Sequence, residues 1–103
     1  MQTKSDFAIE ITVRSAGVAV DITGWALEMD IRQNNALGAL LLVLTTGAGL
    51  ALTAPTQGKF SIFMSAAQTT VIGAGDRVFA IYRTDGGQRL AIITGRLSVQ
   101  EGV

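Results

Sequence analysis

Residues 34–58 read NNALGALLLVLTTGAGLALTAPTQG and contain no charged side chain. Arg32 lies just before the stretch and Lys59 ends it. Two structures compete for it. A membrane-spanning helix needs about 20 mostly apolar residues, and Ala36 to Ala54 supplies that length. Yet Gly38, Gly47 and Gly49 interrupt the run, and its centre, Thr45-Thr46-Gly47-Ala48-Gly49, reads as punctuation. The flanks lack the Lys/Arg cluster and the Trp/Tyr belt that anchor a spanning helix. Split at Gly47, the run becomes Leu40 to Thr45 and Leu50 to Thr53, two apolar segments of strand length joined by a turn. A lone helix would also leave the flanking strands without partners. The reading is two buried strands, with no membrane insertion.

The flanks supply the period-two signal. Phe7, Ile9, Ile11 and Val13 alternate with Ala8, Glu10, Thr12 and Arg14, as a strand with one wet face does. Ser15-Ala16-Gly17 turns, Val18 to Val20 is a short strand, and Asp21-Ile22-Thr23-Gly24 turns again. Trp25, Leu27, Met29 and Ile31 then face one way, while Ala26, Glu28, Asp30 and Arg32 face the other. Parity therefore puts Trp25 inside and predicts a solvated face at Glu28, Asp30 and Arg32. Gln33-Asn34-Asn35 reads as a loop, and Pro55-Thr56-Gln57-Gly58 as a turn. Phe60, Ile62 and Met64 form another strand. Ser65 and Gln68 have capping-box spacing, which predicts one or two helical turns ending near Gly73. Arg77 to Thr84 is a strand, Asp85-Gly86 starts a tight hairpin turn, and Arg89 to Gln100 is a long strand with a kink expected at Gly95. Seven or eight strands joined by short connections, with one helical turn, predict an all-β antiparallel sandwich in a single domain spanning residues 1–103.

Composition mainly excludes functions. There are eight Lys plus Arg and eight Asp plus Glu, so the formal net charge is zero. The cations are scattered singly rather than clustered against phosphates, which argues against nucleic-acid binding. Charged residues make up 16% of the chain, against about 25% in ordinary domains. A neutral, charge-poor surface predicts poor colloidal stability for a free monomer and hence a protein packed against others. The absence of cysteine removes disulfides and thiolate chemistry. The N-terminal segment carries no apolar signal region. The absence of histidine removes the commonest general base and metal ligand.

Four constellations remain for chemistry. Glu28 and Asp30 share a strand face about 7 Å apart by strand rise, a workable acid and base pair, but Arg32 continues the face and a solvated surface explains it. Asp21, Glu28 and Asp30 are too spread for a calcium loop. Gly47-Ala48-Gly49 and Gly73-Ala74-Gly75 lack the residues that complete a phosphate-binding loop. Trp25 and Tyr82 could form a sugar platform, but parity places Trp25 in the core. No enzyme, cofactor or metal site is expected.

The pattern DITGWALEMDIR (residues 21–32), followed by the apolar pair of strands, SAAQT (65–69) and GRLSV (95–99), resembles small tailed-phage virion proteins. It is similar to the immunoglobulin-like N-terminal domain of the siphophage baseplate upper protein, from about Ile9 to Val103. The resemblance implies an immunoglobulin-like sandwich that anchors a fibre or receptor-binding protein to the tail or baseplate. It makes Asp21, Thr23 and Gly24 shapers of a turn, and Ser65 and Gln68 helix caps. The functional expectation is a non-enzymatic phage or prophage structural protein, made in the bacterial cytoplasm and located in the virion. Its partners would be other virion proteins or copies of itself. A capsid-decoration or head-fibre anchor is the alternative within a virion, and a glycan-binding module the alternative outside one. The expected contact surface is the uncharged pair of strands, at Leu40, Leu41, Leu42, Val43, Leu50 and Leu52, because interface cores are depleted in charge.

Overall fold

The alternating segments form strands in the computed structural model, which describes residues 1–34 and 38–102. These are β1 (Phe7–Thr12), β2 (Arg14–Ser15), β3 (Val18–Ala19), β4 (Leu27–Arg32), β5 (Leu40–Thr46), β6 (Gly49–Ala54), β7 (Lys59–Met64), β8 (Gly75–Arg83) and β9 (Leu90–Val99). One helix, α1 (Ala66–Ile72), links β7 to β8. Seven strands form a single sheet in the order β1-β7-β6-β5-β4-β8-β9, and β2 and β3 form a separate hairpin. The all-β, sandwich-like architecture expected from the alternation is present, built from one sheet that curls over its own core. Among the described residues, no helix is long and apolar enough to cross a membrane.

The core shows why the sheet must curl. Phe60, Ile62 and Met64 of β7, Leu50 of β6, Leu44 of β5, Leu27, Met29 and Ile31 of β4, and Ile81 of β8 are buried in one cluster. A sheet curled to bring β7 over β4 and β8 removes all these side chains from water at once. Each fully buried aliphatic or aromatic side chain gains about 1.5–3 kcal/mol over its exposed form.

The curl begins between β5 and β6, where the structure corrects the antiparallel expectation. Thr45 lies beside Gly49 and Thr46 beside Leu50 in parallel register. The chain turns at Gly47 as its composition suggests, but it does not reverse. It steps sideways and resumes its direction, held by Thr45 N–H to Ala48 O (3.1 Å), Ala48 N–H to Thr45 O (2.8 Å) and Gly47 N–H to Leu50 O (2.9 Å). Gly49 has φ 105°, and the site a Cβ would occupy is 2.7 Å from Leu44 Cδ2. Only glycine fits both the backbone and the space. The other pairings between named strands of this sheet are antiparallel.

The two ends of the core are closed by the motifs singled out in the sequence. Ser65 caps α1 reciprocally: Gln68 N–H donates to Ser65 Oγ (3.3 Å), and Ser65 N–H donates to Gln68 Oε1 (2.9 Å). The helix ends before Gly73 and buries Thr69 and Ile72. At the other end, Thr23 donates to Asp21 Oδ1 from its hydroxyl (2.6 Å) and its N–H (2.9 Å). These bonds, the hydroxyl foremost, hold the Asp21 carboxyl below its ordinary pKa. The turn delivers Trp25 ahead of β4. Trp25 packs against the core, as parity requires, but remains half-buried under the Arg83 guanidinium, 4.1 Å above its ring. The expected kink at Gly95 is absent: β9 runs through it, and the missing side chain makes room for the Phe79 ring. The irregularity lies instead where register shifts between Ile81 and Tyr82. Of the expected loop at residues 33–35, Asn35 lies outside the described residues.

The sideways step has a direct test in urea unfolding. Gly86 also has positive φ (81°) but nothing near its missing side chain, so Gly86→Ala is expected to cost only the left-handed penalty, about 1–2 kcal/mol. Gly49→Ala adds a clash in the core, and overpacking of that kind costs about 1–3 kcal/mol more. Equal losses would mean that Leu44 does not pack on the step.

Candidate functional site

The uncharged strands divide between two roles. Leu44 and Leu50 are buried, and Leu41, Leu42 and Leu52 pack partly against the core. Leu40 and Val43 point outward, 48% and 42% exposed. Of the six proposed contact residues, the structure therefore turns Leu40 and Val43 to the surface of β5 and places Leu50 in the core. Absence of charge in this stretch reflects core duty at some positions and an open apolar surface at others.

The outer face of β4 departs from the solvated surface expected. Asp30 is only 3% exposed. Arg89, which precedes β9, reaches back over β4, with Nη2 2.5 Å from Glu28 Oε2 and a second bond to Asp30 Oδ2. Its guanidinium also stacks 3.7 Å above the Tyr82 ring. Tyr82 is opposite Glu28 across β4 and β8, so ring, carboxylates and guanidinium form one compact block. The Arg89 bonds, then the bond with Asp30, lower the Glu28 pKa. Burial, reinforced by the neighbouring Glu28 carboxyl, raises that of Asp30, with Arg89 opposing. The carboxyls are thus pushed apart in acidity, as in an acid–base pair. However, Arg89 binds both and covers them, and Asp30 Oδ1 has no hydrogen-bond partner among the described residues. The block is a brace between β4 and the β8–β9 hairpin rather than an open catalytic pair. A second brace, Arg83 to Asp85 at 2.9 Å, pulls the Asp85 carboxyl down to about 2, chiefly through that side-chain bond.

Beside the brace lies a groove of about 350 Å³, lined by residues that include Asp30, Arg32, Val78, Tyr82, Thr94 and Arg96. On the inner side of the same strands is an apolar notch of about 110 Å³, lined by Ile9, Met29, Phe79 and Leu97 among others. Strand β9 runs between the two and is an edge of the sheet. Sequence reasoning missed this region. Arg32 and Arg96 are 64 residues apart in the chain, and only the pairing of β4 and β9 on either side of β8 brings them to one face. The usable signal was the alternation of β9 itself, which puts Thr94 and Arg96 on one side and Leu97 on the other.

Comparison with known protein families and with curated protein sequences gives no match.

The brace has a pH signature. Arg89→Met removes charge-assisted hydrogen bonds from a half-exposed guanidinium, each worth about 0.2–1 kcal/mol, and leaves two neighbouring carboxyls, that of Asp30 buried, uncompensated. The loss should be greatest near pH 7 and should shrink as pH falls through the carboxylate range, where both groups become neutral. The signs behind this differ. Glu28, with its lowered folded pKa, contributes stability present above its unfolded pKa and lost on acidification. Asp30, with its raised folded pKa, contributes stability that falls as pH rises. Adding Asp30→Asn to Arg89→Met should restore part of the loss at pH 7. Denaturation of the single and double variants at pH 3 and pH 7 checks this, and a pH-independent loss would mean that Arg89 acts only through packing on Tyr82.

Proposed function

We propose that this chain is a non-enzymatic structural protein of a phage or prophage virion, an adaptor in the tail or baseplate that anchors a fibre or receptor-binding protein. The observation that carries the reading is how its few charges are used. Glu28 and Asp30 are bound under Arg89, Asp85 is bound by Arg83, and Glu10 lies 4.0 Å from Lys59. The acidic groups best placed for catalysis are tied into the fold, while β5 turns Leu40 and Val43 to the surface without a charge between them. An enzyme needs the opposite, with ionisable groups open to a substrate and apolar side chains withdrawn. The resemblance carried by residues 21–32, 65–69 and 95–99 supplies the virion context, and the Asp21-Thr23 and Ser65-Gln68 hydrogen bonds are of the kind that context implies.

Particles purified from an induced culture of the strain carrying the gene, separated into heads and tails, provide the test. Quantitative mass spectrometry is expected to find the chain in the tail fraction at a fixed ratio to the other tail proteins. Presence in heads alone would favour the capsid-decoration role, and absence from all particles would overturn the virion reading. Val43→Lys, at an exposed position, is expected to keep the β-sheet circular dichroism while reducing incorporation.

A further inference from the structure

The free edge of β9 has three properties that together specify an occupant. First, it is unprotected. An edge strand presents unpaired N–H and C=O groups and is normally blocked by Lys, Pro or a covering segment. Strand β9 has neither Lys nor Pro, and its single charged residue is Arg96. The chain itself shows that this edge accepts a strand: Gln2 bridges Gln100 in parallel, Gln100 N–H donates to Met1 O (2.9 Å), and Thr3 N–H donates to Gln100 O (2.9 Å). This cover stops at the end of β9, and among the described residues the edge from Leu90 to Leu97 has no such partner.

Second, the two faces beside that edge differ in a period-two manner. On the inner side, Leu97 and Phe79 line the apolar notch with Ile9, which is 46% exposed. On the outer side, Arg32, Val78 and Arg96 form a row across β4, β8 and β9. Neighbouring strands lie about 4.8 Å apart, so a strand added outside β9 would place a side chain directly beside Arg96. Third, the charge nearest the edge on that outer side is positive and unpaired. Arg96 makes no ion pair among the described residues, whereas Arg32, two strands away, donates to Gly38 O (3.2 Å) and approaches Asp30 at 3.9 Å. The nearby carboxylates are Asp30, already bound by Arg89, and Asp76, which is opposite Ser98 in the next pair along and makes no ion pair with Arg96 among the described residues.

We infer that the edge of β9 from Leu90 to Leu97 is a strand-addition site for an extended segment of a partner protein in which apolar residues alternate with Asp or Glu. The apolar side chains enter the notch beside Leu97, and the acidic ones meet Arg96 and the groove beyond it. Backbone pairing supplies affinity, and the alternate side chains supply selectivity. A saccharide fits less well, because Arg89 already covers a face of Tyr82 and the other aromatic of the lining, Phe79, packs its ring against Gly95 and the core. A second copy of this chain fits less well because the acidic residue of its own edge strand β1, Glu10, is already engaged by Thr53 Oγ1 (2.9 Å) and Lys59. The inference rests on the adaptor reading for the claim that the occupant is a protein.

The test uses end-blocked nine-residue peptides that alternate Val or Thr with Glu, or with Lys, followed by amide NMR and hydrogen exchange of the full chain. At a free concentration ten times its dissociation constant, the Glu peptide is expected to slow exchange of the outward amides of β9 about tenfold and to shift the Arg96 side-chain signals. The Lys peptide should do neither. Arg96→Glu, at an exposed position, should reverse the preference. Protection of β1 instead of β9, an unchanged preference in Arg96→Glu, or no protection at all would overturn the inference. So would Arg32 and Arg96 signals that respond to polygalacturonate but not to the peptide, or β9 amides already protected by self-association. A chain found in virions that fails to bind the peptide would lose this inference and keep the adaptor reading, while peptide binding by a chain absent from virions would do the reverse.

Discussion

The sideways step from Thr46 to Gly49 governs the rest of the structure. A seven-stranded sheet with one apolar face must bury that face against something, and the described residues supply one short α-helix for the purpose. By stepping aside between β5 and β6 rather than reversing, the sheet brings β1 and β7 over β4 and β8, and its two ends share one core. Leu44, buried beneath Gly49, is the contact through which the step is locked. Such a curl leaves two free edges, β1 and β9. One residue pattern at one turn thus sets both the core and the place where a partner strand can be added.

The second organising feature is the use of charge. With so few ionisable side chains, the chain ties several of them into braces. Arg89 ties the β8–β9 hairpin to β4, and Arg83 covers Trp25 while binding Asp85. Salt bridges of this partly exposed kind are worth little singly. Their effect here is on placement, since Arg89 fixes the hairpin from which β9 begins and closes off the carboxyls of Glu28 and Asp30. Arg96, which makes no ion pair among the described residues, lies on the same face as that brace, on the edge strand itself.

Local features were largely legible in the sequence. Alternation located the strands, the Ser65 and Gln68 spacing gave the capped helix, and the charge-free stretch resolved into β5 and β6. What was not legible depended on who pairs with whom. The Glu28 and Asp30 face looked solvated because its cover, Arg89, comes from a hairpin some sixty residues away. Leu50 and Val43 look alike in a charge-free run, yet one is core and the other surface, because pairing sets Val43 beside Asp30 on the outer face and Leu50 beside Ile62 on the inner one. The groove beside Arg32 and Arg96 was invisible for the same reason, as it exists only where β8 brings β4 and β9 together.

Methyl and amide NOEs in uniformly labelled protein test the curl most directly. The curled sheet requires contacts between Ile62 or Met64 on β7 and Met29 on β4, which line a common notch although β6 and β5 separate their strands within the sheet. It also requires contact between Leu44 and Gly49 across the step. The expected result is that both sets appear together with the strand-to-strand contacts of β1 with β7 and β4 with β8. Those ladder contacts without any between β7 and β4 would describe an open sheet, and that result would contradict the account.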